Sequence, residues 1–96
     1  MPTKTRAWDV VETLDTPERI ARYLEAAFED GDPALIAAAI GDAARAHGMS
    51  DLARETGLAR EALYRALSDT GNPEFATVLK VLKALGLRLT TSGIKR

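Results

Sequence analysis

Four side chains that can bond to the base edges of DNA recur at helical spacing between residues 59 and 67. They are Arg60, Glu61, Tyr64 and Arg65, and they lie opposite an apolar face formed by Leu63, Ala66 and Leu67. Arginine can form two hydrogen bonds with guanine, and glutamate can accept one from cytosine. These residues are therefore the predicted base contacts, and the alternative for Arg60 and Glu61 is a solvated helix face with no ligand.

A second helix precedes this one after a very short turn. It is predicted to begin at Ser50 and to end before Gly57, which would supply the positive φ of the turn. Ala53 is small where the following helix would pass over it, and Leu52 and Leu58 would fill the angle between the two helices. This spacing is typical of a DNA-binding helix-turn-helix, and a structural helical hairpin is the alternative.

The edges of this unit are the predicted sites of phosphate contact. The residues concerned are Ser50, Arg54, Ala59 and Asn72. The carboxylate of Asp51 is unfavourable near phosphate, so it would have to turn away or weaken non-specific binding. Two positions depart from the usual pattern, because an aliphatic residue is more common at Thr56 and a Ser or Thr helix cap is more common at Ala59.

Helical periodicity and helix start and stop signals predict an all-α fold of about five short helices. These cover residues 16–30, 32–47, 50–56, 59–67 and 74–85. The last helix is expected to turn five apolar residues inward, with Val81 and Ala84 widening its apolar surface. The inward set is Phe75, Val78, Leu79, Leu82 and Leu85.

The segment from Leu87 to Thr90 alternates apolar and polar residues, which indicates a possible short C-terminal strand. A coiled tail is the alternative. A lone strand must pair with something, and the simplest partner is the same segment of a second copy. Together with the wide apolar face of the last helix, this predicts a homodimer.

The charge is divided along the chain, which is predicted to form a single domain of residues 1–96. Residues 1–44 carry four basic and nine acidic side chains, a net charge of −5, whereas residues 45–96 carry nine and five, a net charge of +4. The N-terminal helices fall in 1–48, and the helix-turn-helix with the last helix falls in 49–96. Only the C-terminal half is suited to face phosphate. Residues 1–15 are the least defined, and Trp8 is expected to dock onto the helices.

Other functional classes find little support in the sequence. There is no cysteine, one histidine and no Gly-rich phosphate loop, so no catalytic residues, metal site or cofactor are expected, and the protein is predicted not to be an enzyme. His47 is interpreted as a helix-terminal residue. No apolar run approaches the length of a membrane span and no secretory leader begins the chain, so a cytoplasmic location without membrane association is expected.

With these residues in view, the chain resembles the addiction-module antidote proteins, a family of bacterial antitoxins with a phage-repressor-type helix-turn-helix. The matching stretches include residues 29–33, 52–67, 71–73 and 79–87, with Trp8 and Asp9 at the start. The family usually has Ser where this chain has Ala59.

The resemblance implies a small toxin partner of the RelE/ParE-like fold and repression of the shared operon. The acidic N-terminal half would suit a basic toxin, although acids also simply keep a small protein soluble. A dimer would require double-stranded DNA with an inverted repeat. Two alternatives remain: a stand-alone phage-repressor-type transcriptional regulator, and a protein-interaction module that has lost DNA binding.

Overall fold

The computed structural model describes residues 7–94 and is helical throughout its regular parts. In chain order the helices are α1 (Ala7–Thr13), α2 (Pro17–Asp30), α3 (Pro33–His47), α4 (Met49–Thr56), α5 (Arg60–Ala66) and α6 (Phe75–Ala84). The five predicted helices are present with small differences at their ends, and α1 is an additional helix that the sequence did not indicate. No strand forms within the described residues, so Leu87–Thr90 is irregular in the single chain.

The ends of the first long helices follow from the capping residues. The Thr16 hydroxyl accepts a hydrogen bond from the Arg19 N–H at 3.1 Å, and the Asp32 carboxylate accepts one from the Ala34 N–H at 3.2 Å. In both helices a proline occupies the first turn, where no backbone N–H is needed. Gly31 ends α2 in the left-handed conformation, with φ of 83°.

Helix α3 lies at the centre of the core and contacts α1, α2, α4 and α5. Its Ala43 and Ala44 are completely buried, and a Cβ at Gly41 would lie only 2.2 Å from the Leu67 carbonyl oxygen. Small residues therefore let α3 approach the end of α5 closely. Burial of Leu14 ties the start of the chain to this core, while the Trp8 side chain lies outside the described residues.

The buried face of α6 differs from the predicted one. Val81 is 0% exposed and Leu82 and Leu85 are buried, whereas Phe75 is 69% exposed and Leu79 is 42% exposed. The inward orientation predicted for Phe75 and Leu79 is thus wrong, and Val81 belongs to the core and does not widen a free surface. The reason is that α6 packs against α4, and this contact buries the stripe centred on Val81 although apolar residues lie on most sides of α6.

Candidate nucleic-acid interface

The turn between α4 and α5 has the backbone conformation that the sequence predicted. Gly57 has φ of 78°, and its N–H donates to the Ala53 carbonyl oxygen at 2.9 Å. A residue with a Cβ is disfavoured at this φ. Glycine therefore allows α5 to follow α4 after only three intervening residues, 57–59.

The hydrogen bonds of Thr56 explain why a threonine can stand where an aliphatic residue is more common. Its hydroxyl donates to the Leu52 carbonyl oxygen at 2.7 Å and accepts a hydrogen bond from the Leu58 N–H at 3.2 Å. One side chain thus bonds both the last turn of α4 and the residue that leads into α5. The threonine supports the turn through hydrogen bonds where an aliphatic residue would support it by packing.

Helix α5 is anchored by its apolar side. Leu63 is 1% exposed and Leu67 is buried, and both belong to the core that also contains Leu52 of α4. Burial of a leucine side chain stabilises a fold by about 1.5–3 kcal/mol. This anchoring fixes which side of a seven-residue helix points away from the protein.

The outward side of α5 carries all four predicted base contacts. Arg60, Glu61, Tyr64 and Arg65 are all exposed. The Arg60 guanidinium lies 5.9 Å from the centre of the Tyr64 ring, within the range of a cation–π interaction. The structure therefore brings two arginines, a carboxylate and a phenol together on one exposed face, and we call these four residues the α5 face.

The residues predicted to contact phosphate differ in their exposure and in their hydrogen-bond partners. Ser50 is exposed in the first turn of α4, and Arg54 on the same helix forms an ion pair with Asp51 at 2.7 Å. Asp51 therefore neutralises part of the charge that Arg54 could offer to phosphate. Ala59 precedes α5 without a side-chain cap, so the first-turn N–H groups of α5 receive no side-chain hydrogen bond there.

The loop of residues 67–74 closes over the carboxyl end of α5. A Cβ at Gly71 would lie 2.2 Å from the Ala66 carbonyl oxygen and 2.5 Å from that of Arg65, so only glycine fits. The Ser68 hydroxyl donates to the Arg65 carbonyl oxygen at 3.1 Å. This packing holds the exposed Asn72 and Arg65 on the walls of one concave surface of about 410 Å³.

Two polar contacts between helices were not anticipated, and one of them extends to a third side chain. His47 at the end of α3 lies 2.9 Å through Nε2 from Glu55 Oε1 of α4, which adds a partner to the predicted helix-terminal role. The Tyr23 hydroxyl of α2 donates to Asp42 Oδ2 at 2.6 Å, and Arg45 pairs with the other oxygen of that carboxylate. The His47–Glu55 and Tyr23–Asp42 pairs join different helices and leave no periodic signal in the sequence, so they could be found only from the fold.

The contacts of Tyr23 change the pKa of its phenol. Burial, and then the hydrogen bond and negative charge of Asp42, raise the pKa of the Tyr23 phenol to about 12, although Arg45 opposes the change. The neutral phenol is thus stabilised as the donor that joins α2 to α3. This network joins α2 to α3 and includes no residue of the α5 face.

The part of the chain that the structure describes was searched for unpartnered buried polar atoms and for clusters of potential metal ligands. Every buried side-chain nitrogen and oxygen there has a hydrogen-bond partner, and no group of His, Cys, Asp or Glu has the spacing of a metal site. Within residues 7–94 no helix has both the length and the apolar character needed to cross a bilayer. The expectations of no cofactor and no catalysis stay predictions.

The fold and the α5 face define a small helical protein in which a glycine turn leads into a short helix with an exposed, charged face. Comparison with known proteins adds the family. A family model described as probable addiction module antidote protein matches residues 4–93, and the chain belongs to this family.

One relative comes from Haemophilus influenzae strain Rd and is described as an uncharacterized protein. It is 49% identical over 88 residues, which cover 92% of this chain and 91% of the relative. No solved structure gives a significant match. The family membership predicted from the sequence is confirmed, and the type of helix-turn-helix stays a prediction.

Proposed function

We propose that this protein is a DNA-binding antitoxin that represses its own operon and neutralises a RelE/ParE-like toxin. The observation that carries DNA binding is the α5 face, where Arg60, Glu61, Tyr64 and Arg65 project from a helix anchored by Leu63. In a phage-repressor-type helix-turn-helix this face enters the major groove. Family membership supports the antidote role.

The surrounding residues support a division between base and phosphate contacts. The α5 face would read base edges, while Ser50, Arg54, Asn72 and the backbone at Ala59 would contact phosphates on either side. Two copies would place their α5 helices about 34 Å apart, one turn of the duplex, on an inverted repeat. The protein acts in the cytoplasm, without catalysis and without a cofactor.

The stand-alone transcriptional regulator is the second candidate, and the family match favours the antitoxin over it. The two functions differ in what the adjacent gene encodes. A small basic protein that arrests growth when expressed alone, and that co-purifies with this chain, supports the antitoxin. Expression of the neighbouring gene without any growth defect contradicts it.

DNA binding and toxin neutralisation can be separated by one variant. Arg60→Ala combined with Arg65→Ala removes both cations of the α5 face, so we expect loss of operator binding with unchanged rescue of growth from the toxin. The matched control is Lys80→Ala combined with Lys83→Ala, which removes two exposed cations of α6. Equal operator binding by both double variants would contradict the proposed DNA interface.

A further inference from the structure

A cation–π contact joins two residues of the α5 face. The Arg60 guanidinium lies over the Tyr64 ring, 5.9 Å from its centre. The two residues are one helical turn apart, and helical side chains lean toward the N-terminus of their helix, so the Tyr64 ring leans back toward Arg60. The contact is therefore local to α5 and needs no other element of the fold.

Within residues 10–94 the guanidinium of Arg60 has no carboxylate partner. It forms no ion pair and no side-chain hydrogen bond there. Glu61 is next to it in sequence, but adjacent residues of a helix point in different directions. Arg54 differs, because Asp51 engages its charge at 2.7 Å. The Arg60 cation is therefore available to a ligand.

A contact with a ring leaves the hydrogen-bond donors of Arg60 available. A guanidinium stacks on an aromatic ring through its face, whereas a carboxylate would occupy its N–H groups. Two such N–H groups recognise guanine through its O6 and N7 atoms. Arg60 is the first residue of α5, and the N-terminal residues of a recognition helix are those that reach base edges. Arg60 is thus in the position from which a guanine is read.

Support from the ring lowers the free-energy cost of fixing Arg60 on DNA. An exposed arginine side chain samples many rotamers, and the loss of this freedom opposes binding. Tyrosine has only two side-chain torsions, so the ring of Tyr64 is a stiff support beside a mobile side chain, although Tyr64 itself is 44% exposed. A guanidinium that already lies over the ring loses less freedom when it meets a base.

We propose that Tyr64 is a positioning residue that holds the Arg60 guanidinium for the recognition of a guanine in the major groove. The Tyr64 ring acts through Arg60, and the Tyr64 hydroxyl is not the group that reads DNA. This role replaces the direct base contact expected of Tyr64 from the sequence. The inference rests on the proposed function and deepens it, because it concerns how the α5 face distinguishes one base from another.

The competing role for Tyr64 is a direct contact with DNA through its hydroxyl. That hydroxyl has no hydrogen-bond partner within residues 10–94, so it is also available to a ligand. Two substitutions separate the roles, because Tyr64→Phe removes the hydroxyl and keeps the ring, whereas Tyr64→Leu removes both. Phe28→Leu, at a 37% exposed position of α2, is the control for loss of an aromatic ring outside the α5 face.

The first experiment measures base discrimination by fluorescence anisotropy. Each G·C pair of one operator half-site is replaced in turn by A·T, and Arg60→Ala identifies the guanine that Arg60 reads, because about tenfold discrimination disappears at that pair. Tyr64→Leu should reduce discrimination at the same pair about threefold and leave the other pairs unchanged. Tyr64→Phe should retain the discrimination, and Phe28→Leu should match the wild type.

Double variants show whether Tyr64 acts through Arg60. In the Arg60→Ala background, Tyr64→Leu should change discrimination no further. In the Arg65→Ala background it should keep its full effect, because Tyr64 and Arg65 are adjacent in the helix and do not face each other. An equal loss of discrimination in Tyr64→Phe and Tyr64→Leu, or a further loss in the Arg60→Ala background, would overturn the positioning role.

A measurement without DNA separates this inference from the proposed function. The ring current of Tyr64 should shift the Arg60 side-chain protons upfield of those of Arg65 in the NMR spectrum of the free protein, and the shift should vanish in Tyr64→Leu. Absence of the shift from the wild-type spectrum would overturn the inference. Equal binding of operator and scrambled DNA by the wild type would count against the proposed function, whereas full base discrimination by Tyr64→Leu would count against this inference alone.

Discussion

At the scale of single residues, the α5 face was predictable because helical spacing alone separates Arg60, Glu61, Tyr64 and Arg65 from Leu63. The contacts that these and nearby side chains make were not predictable. Helical spacing makes neighbours of Arg60 and Tyr64, and of Asp51 and Arg54, but whether each pair is in contact depends on the rotamers. These contacts decide how much charge each arginine can offer to DNA.

The arginines of the α5 face should contribute unequally to specific and non-specific binding. Arg60→Ala or Arg65→Ala is expected to cost about 1–3 kcal/mol of operator binding where that arginine reads a base, and much less on a scrambled duplex. Lys80→Ala, which removes an exposed cation of α6, is the control. A loss under a few tenths of a kcal/mol for both arginine variants, measured by fluorescence anisotropy, would contradict the assignment of α5 as the reading helix.

Asp51 is expected to limit non-specific binding. Asp51→Asn removes the carboxylate that pairs with Arg54, so affinity for a scrambled duplex should rise by about threefold to tenfold at low salt, and its salt dependence should steepen. Asp15→Asn is a matched control, because Asp15 forms an ion pair with Arg19 at 3.5 Å away from the α5 face. An equal response of both variants would show that total charge, not Arg54, is responsible.

The raised pKa of Tyr23 makes part of the free energy of unfolding depend on pH. Its phenol has a pKa of about 12 in the fold, against about 10 when unfolded, so the stabilisation is complete below pH 10 and is lost as pH rises to 12. We expect the stability difference between wild type and Tyr23→Phe to be about 1–2 kcal/mol near neutral pH and to shrink over this interval. A difference that does not change between pH 9 and 12, measured by urea unfolding, would contradict this role.

At the scale of elements, the sequence located the helices that have clear caps. Thr16, Asp32 and Gly57 mark ends that the structure reproduces. The sequence did not indicate α1, which has no capping signals in the described residues. The predicted inward face of α6 was wrong, because Phe75 and Val81 are equally apolar and only packing against α4 distinguishes them. The irregular residues 87–90 show that an alternation of apolar and polar residues does not by itself form a strand.

Gly71 should be the glycine of the interface that tolerates a side chain least. Gly71→Ala places a methyl group against two backbone carbonyl oxygens, so we expect a loss of about 1–3 kcal/mol of stability or a displaced loop with weaker operator binding. Gly93→Ala, where nothing lies within 4 Å, is the control. Identical thermal unfolding and identical DNA binding of the two variants would show that the loop does not depend on this close approach.

At the scale of the whole molecule, one core joins an acidic N-terminal half to a basic C-terminal half. The division of charge could be read from the sequence, and so could the pair of helices that presents the α5 face. Polar contacts between helices, such as Tyr23 with Asp42, could not, because they depend on how α2 packs against α3.

The central claim is that this protein binds its own operator in a sequence-specific way. The most direct test is fluorescence anisotropy of the purified protein with labelled DNA from its upstream region and with a scrambled duplex, each at two salt concentrations. We predict tight binding to the upstream DNA, weaker binding to the scrambled duplex, and loss of affinity for both as salt rises. Equal binding of the two duplexes, or binding of neither, would contradict the claim.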